Sequence, residues 1–98
     1  MLESKIQKSV VAWLKSIGAK VIVLKVASVS GNADLIICYQ GYYIEFEMKQ
    51  PGKTATKLQL IKATETREAE GQWFEIHSLE EAEEAIEQAE KIYGINRK

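Results

Sequence analysis

Apolar residues recur with a 3.6-residue period along the first sixteen or so positions. Leu2, Ile6, Val10, Trp13, Leu14 and Ile17 share one stripe, and Gly18 follows as a stop signal, so the pattern predicts an amphipathic helix over residues 2–17. The pattern then changes. Val21, Ile22, Val23, Leu24 and Val26 predict a strand over Lys20–Ala27. Ser28–Ala33 is a small-residue turn region. A second strand is predicted over Asp34–Tyr39, where the run Leu35-Ile36-Ile37-Cys38 suggests burial on both faces. Gln40-Gly41 turns the chain into a third strand, Tyr42–Lys49, which pairs with the second as a hairpin. The only proline, Pro51, stands beside Gly52 and marks another turn. A polar loop leads to a helix from about Lys57 to Ala69, and Gln72–His77 reads as a fourth strand. Ser78 is the expected cap of a last helix, with Glu81 completing a capping box and Ala82, Ile86, Ala89 and Tyr93 as its inward stripe. The order αβββαβα predicts an α/β fold with a mixed four-stranded sheet flanked by helices.

Composition narrows the class. Ninety-eight residues, 46% hydrophobic and 28% charged, predict one soluble globular domain over 1–98, large enough to fold without disulfides. The single cysteine, Cys38, forbids an internal disulfide and reads as a buried small apolar residue. With one histidine, it leaves no Cys/His set for structural zinc. No apolar run approaches the roughly 20 residues needed to span a bilayer, and no signal-peptide pattern opens the chain. The expectation is a cytoplasmic protein without a membrane partner.

Charge changes the picture more than composition does. The net charge of −1 argues at first against nucleic acid. Yet residues 1–67 carry ten Lys/Arg against five Asp/Glu, and residues 68–98 carry three against nine. A basic part and an acidic part cancel in the sum. The acidic part also has a plain reading as a solvated helix face.

Three acidic positions stand out. Glu3 falls inside the apolar arc of the first helix, although an acid also suits a helix N-terminus. Asp34 lies where a turn enters an apolar strand, where it could equally bond turn amides. In Glu45-Phe46-Glu47-Met48-Lys49, alternation puts both glutamates and Lys49 on one face, with Tyr43 in line. Ile44, Phe46 and Met48 then face the core. A solvated sheet face with cross-strand ion pairs is the plain reading of that triplet. Together the acids describe a phosphodiesterase layout. Carboxylates at adjacent strand ends suit Mg²⁺ or Mn²⁺, which prefer hard oxygen ligands. A lysine two residues on would point into the same site and stabilise charge on a phosphate.

The ordered motifs resemble those of the VRR-NUC (virus-type replication-repair nuclease) family of the PD-(D/E)XK nuclease superfamily. Glu3-x-x-Ile6-Gln7 with Trp13-Leu14 and Gly18 is similar to that family's opening helix. Gly31-Asn32-Ala33-Asp34-Leu35 resembles its G-x-P-D-L motif, with Ala33 in place of the proline. Glu47-Met48-Lys49 before Pro51-Gly52 resembles its E-V-K, with Met48 in place of a β-branched residue. Gln59 stands where the family has a glutamine early in the next helix, and Gly71, Trp73–His77 and Ser78–Glu81 resemble its closing strand and helix. The resemblance implies a restriction-endonuclease-like core. It also implies that Asp34 and Glu47 bind metal, that Lys49 is catalytic, and that Glu3 and Gln59 complete the site, with Glu3 as a further metal ligand.

The expected function is a Mg²⁺- or Mn²⁺-dependent DNA endonuclease, structure-selective on branched DNA in replication, recombination or repair. Its setting would be a bacterial or phage-infected cell, and no small-molecule cofactor is expected. Lys53, Thr54 and Lys57 form a basic loop that is either solvated or in contact with phosphate. A homodimer would give two sites on one surface. Three alternatives stay open: a catalytically inactive DNA-binding module, a nuclease acting on RNA, and an interaction domain whose acidic helix meets a protein. His77 and Trp73 read as structural, Gln7 as a possible site neighbour, and Tyr42 and Tyr43 as hairpin packing in preference to base stacking.

Overall fold

A computed structural model of the chain describes residues 3–24 and 32–97, with the side chain of Glu3 outside the description. The elements run α1 (Glu3–Ser16), β1 (Lys20–Val23), β2 (Leu35–Tyr39), β3 (Tyr42–Met48), α2 (Lys57–Glu68), β4 (Gln72–Ile76) and α3 (Leu79–Tyr93). This is the predicted order. The strands form one sheet in the order β1-β2-β3-β4. The first two pairings are antiparallel and the last is parallel. The parallel pair needs a crossover, and α2 supplies it. The β2–β3 hairpin closes at Tyr39 and Tyr42 around Gln40 (φ 50°) and Gly41 (φ 87°). Two successive left-handed residues give the turn whose twist matches the strands.

Alternation along β3 divides the molecule. Ile44, Phe46 and Met48 are buried and join Ile6, Val10 and Leu14 of α1 and Ala82, Ile86 and Ala89 of α3 in the main core. Glu45 and Glu47 point the other way, toward α2. That face holds a small cluster of Ala33, Ala63 and Trp73. Helices α1 and α3 therefore cover one face of the sheet, and α2 covers part of the other. Among the described residues no helix is long and apolar enough to cross a membrane.

The structure corrects three local readings and refines a fourth. Strand β1 ends at Val23, and residues 25–27 of the expected strand lie outside the described residues. Strand β2 is buried on one face only: Leu35, Ile37 and Tyr39 are covered, Ile36 is half-buried and Cys38 is exposed. The reason is that α2 packs on β4 and leaves the β1–β2 side of its face open. Tyr93 packs against the core as expected but is only half-buried. Its ring stacks on Tyr42 at 4.5 Å, its hydroxyl donates to the Tyr43 carbonyl at 2.8 Å, and Ala85 takes a buried place in the α3 stripe. Ser78 caps α3 by accepting from the Glu81 N–H, but the Glu81 carboxylate turns to His77 and leaves the box half made. The complete capping box belongs to α2, between Thr56 and Gln59.

A polar tie holds the end of the chain. The Tyr39 hydroxyl donates to Glu90 Oε2 at 2.8 Å, and Arg97 donates to both Glu90 oxygens at 2.9 and 3.1 Å. The Arg97 guanidinium lies 5.8 Å from the centroid of the Trp13 ring. Arg97 holds the Glu90 carboxyl below its ordinary value of 4.5, with help from Tyr39 and against the opposing effect of burial. A depressed carboxyl stabilises the fold above its unfolded-state value, and that contribution is lost as pH falls through the depressed value. Arg97→Leu should therefore lower the melting temperature at neutral pH, and the gap from wild type should close in strong acid. Paired thermal melts across the acid range check this.

Candidate active site

The α2-facing side of β3 carries the chemistry. Glu47 is only 3% exposed. A carboxylate removed from water is costly unless charged or hydrogen-bonding groups surround it. Two such groups are in place. Gln59 donates from Nε2 to Glu47 Oε2 at 2.9 Å, and the Lys49 ammonium lies 3.7 Å from the same oxygen.

Gln59 is itself held from behind. Its Oε1 accepts the Thr56 N–H at 2.8 Å, while Thr56 Oγ1 accepts the Gln59 N–H at 3.2 Å. This reciprocal pair satisfies donors at the start of α2. It also fixes the amide. The opposite orientation would set an NH₂ against the Thr56 N–H and an oxygen against the Glu47 carboxylate. One side chain thus starts the helix and binds the buried acid.

Asp34 precedes β2 and is half-buried. Its Oδ2 accepts the Met48 N–H at 2.8 Å. The last β2–β3 pair is Leu35 with Phe46, so one step further Asp34 stands opposite Glu47. Residues opposite each other in a ladder project to the same face. Asp34 and Glu47 thus stand on one face at the mouth of the hairpin, with Lys49 and Gln59 against Glu47. Glu3 opens α1, and its side chain, like Gly31 of the turn motif, lies outside the described residues.

Glu45 has a different task. It accepts from the Thr66 hydroxyl at 2.8 Å and from the Tyr43 hydroxyl, tying α2 to β3. Burial, reinforced by this carboxylate, pushes the Tyr43 phenol up. Lys53, Thr54 and Lys57 are exposed on the loop between β3 and α2 and at the first residue of α2.

The sequence reading missed the supports of that loop. Glu75, paired with Glu47 in the β3–β4 register, accepts the Ala55 N–H at 2.7 Å. His77 lies 2.6 Å from the Lys53 carbonyl through Nε2 and 2.8 Å from Glu81 through Nδ1. Burial works against the imidazolium, but Glu81, the Lys53 carbonyl and Glu75 together raise its pKa above 6.5. The Thr56-x-x-Gln59 spacing was a legible sign of the capping box. Nothing in the sequence marks Glu75 as a neighbour of Glu47.

No family model matches the sequence, and neither does any curated protein. A solved structure described as a VRR_NUC domain does match, with a TM-score of 0.76 at 23% identity, over 87% of this chain and 94% of that one. The chain has the fold of a VRR_NUC domain. The motif resemblance is thereby met at the level of the fold.

On this VRR_NUC fold, the donor set can be tested against a divalent ion. Asp34 and Glu47 offer hard carboxylate oxygens at one place, which fits Mg²⁺ or Mn²⁺. Among the described residues no group of three or more His, Cys, Asp and Glu side chains is arranged to hold a metal ion. Two carboxylates still suffice for an ion that completes its shell with water and phosphate. Gln59→Glu should keep the helix cap but set a second carboxylate against Glu47. It should cost about 1–3 kcal/mol at neutral pH, read as a lower urea midpoint, whereas Gln59→Glu with wild-type stability would contradict the geometry.

Proposed function

We propose that the chain is a Mg²⁺- or Mn²⁺-dependent DNA endonuclease that hydrolyses phosphodiester bonds. The observation that carries this is the buried Glu47 carboxylate, held by Gln59 and Lys49 and standing opposite Asp34. A sheet with no catalytic use for that position would be served better by an apolar residue. Asp34 and Glu47 would hold the ion, with Glu3 joining from α1. When bound, such an ion supplies Lewis acidity toward the phosphate and lowers the pKa of water. The Lys49 ammonium stabilises charge that develops on the phosphate. Gln59 keeps the Glu47 carboxylate in one orientation, so its second oxygen is presented reproducibly.

Lys53, Thr54 and Lys57 are assigned to the DNA backbone, because they are exposed and adjoin Lys49 and Gln59. No base-reading element is present among them, so shape selects the substrate, and branched DNA in replication, recombination or repair is the proposed target. The setting would be the cytoplasm of a bacterial or phage-infected cell, with no small-molecule cofactor required.

Incubation of flap, splayed, four-way and linear substrates with Mg²⁺, Mn²⁺ or EDTA should give metal-dependent cleavage, strongest on a branched substrate. Lys49→Ala should fold and lose about a hundredfold or more in kcat. Equal rates for the two proteins would remove Lys49 from the site, binding without cleavage would leave an inactive module, and cleavage of RNA alone would change the substrate. A branched substrate has two strands to cut, and a homodimer would offer two sites on one surface. Sedimentation equilibrium should accordingly give twice the chain mass of 11.1 kDa, and a monomer at working concentration would refute the dimer.

A further inference from the structure

The loop between Lys49 and Gln59 is held by three successive residues at the end of β4. The Ile76 carbonyl accepts the Lys49 N–H at 2.9 Å. Glu75 Oε1 accepts the Ala55 N–H at 2.7 Å, and His77 Nε2 lies 2.6 Å from the Lys53 carbonyl. Glu75 Oε2 is 3.1 Å from the same imidazole nitrogen. Thr54 is therefore tethered on both sides, and Lys53 is fixed at its own backbone. We propose that Glu75 and His77 are positioning residues for the DNA-contacting loop, holding Lys53 and Thr54 at the height at which they meet phosphate. The role rests on the nuclease reading above and adds to it two residues that the motif resemblance does not assign.

Geometry also sets the condition under which the tether holds. A carbonyl oxygen only accepts, and so does an ionised carboxylate. His77 faces one of each, the Lys53 carbonyl at Nε2 and Glu81 at Nδ1. A neutral imidazole carries one N–H and can serve only one of them. Both bonds need the imidazolium. The charged groups turned toward it are Glu75 from β4 and Glu81 from α3, and Glu81 also accepts the His77 backbone N–H at 2.8 Å. Glu80 lines the cavity beside it, and among the described residues α1 contributes Ile6 and Ser9 there. Among the described residues Glu81 and Glu75 are the charged groups that act on it, and with the Lys53 carbonyl they hold the imidazolium above the ordinary histidine range against the effect of burial. A raised histidine pKa means both bonds are made in mild acid, and the ring must give up one of the two as pH rises through the raised value.

Two readouts on the full chain test the role. Amide exchange at Ala55, followed by NMR and corrected for intrinsic rate, reports the tether directly. Affinity for a labelled DNA duplex in EDTA reports the loop without turnover. His77→Gln and Glu75→Gln should each speed Ala55 exchange about tenfold. They should weaken DNA binding at least about fivefold, with kcat at saturating substrate unchanged. Wild-type affinity should fall between mildly acid and mildly alkaline pH, and His77→Gln should lack that limb. Glu81→Gln, at a more exposed position, keeps an acceptor for Nδ1 but removes the charge that favours the imidazolium, and should shift the pH limb downward if His77→Gln does not fold. Wild-type affinity in both variants, or a pH profile shared by wild type and His77→Gln, would overturn the proposal whatever happens to stability. A wild type that shows the pH-dependent binding but cleaves nothing would overturn the nuclease reading and support the loop-holding role.

Discussion

A carboxylate buried on one face of the third strand sets conditions on everything around it. Glu47 cannot stay ionised there unless a donor and a cation reach it. The donor is Gln59, so the first turn of α2 must sit over the end of β3. The cation is Lys49, so the chain must remain extended for two residues beyond Glu47. Thr66 reaches Glu45, two helical turns further along α2 and one strand repeat back. Two polar ties at separate points thus define where α2 crosses the sheet. Its apolar stripe could not do so alone, because Ala63 is its one fully covered residue and Leu58, Leu60 and Ile61 remain exposed. At Gly71, where the chain turns from α2 into β4, an added Cβ would lie 2.9 Å from side-chain carbons of both Thr66 and Tyr43. This ties the close approach of helix and sheet to the same two residues that bind Glu45.

Such an arrangement explains why some of the structure was readable from sequence and some was not. Helix α1 and strand β3 have one face apolar and the other polar, so periodicity alone places Ile6, Val10, Leu14, Ile44, Phe46 and Met48 in the core. The hairpin was legible from Gln40-Gly41 and the runs on either side. Asp34, Glu47 and Lys49 were legible as a set because two acids and a lysine are odd at strand ends, whereas Gln59 was legible only through the motif resemblance. Cys38 was not. An apolar run says that a strand is good to bury, but whether both faces are covered depends on where α2 lands, and that is decided at Glu45 and Glu47. The box expected at Ser78 failed through competition. Glu81 had a choice between a backbone amide at Ser78 and the His77 imidazolium with its backbone N–H, and charge-assisted bonds prevail. Glu75 and His77 were invisible as site neighbours because their closeness to Lys53 and Ala55 arises from parallel pairing with β3, a long-range contact with no local signature.

The charge split acquires a spatial meaning once the faces are assigned. Most glutamates of residues 68–98 lie on α3, which packs on the core face, whereas Lys49, Lys53 and Lys57 gather on or beside the α2 face. Exposed charges on opposite sides of the sheet are largely screened from one another beyond about 10 Å at ordinary ionic strength. Most of the α3 acids are thus weakly felt at the loop, and the net charge of −1 says little about which ligand the α2 face would accept. The exception is the corner where β4 ends and α3 begins. There Glu75 and Glu81 both meet His77, which holds the Lys53 carbonyl, and two uncompensated acids beside that loop would repel an anionic ligand. His77 stands between them with both ring nitrogens engaged. Once protonated it sets a positive charge between them, and the ring that meets Glu81 through Nδ1 also holds the Lys53 carbonyl through Nε2.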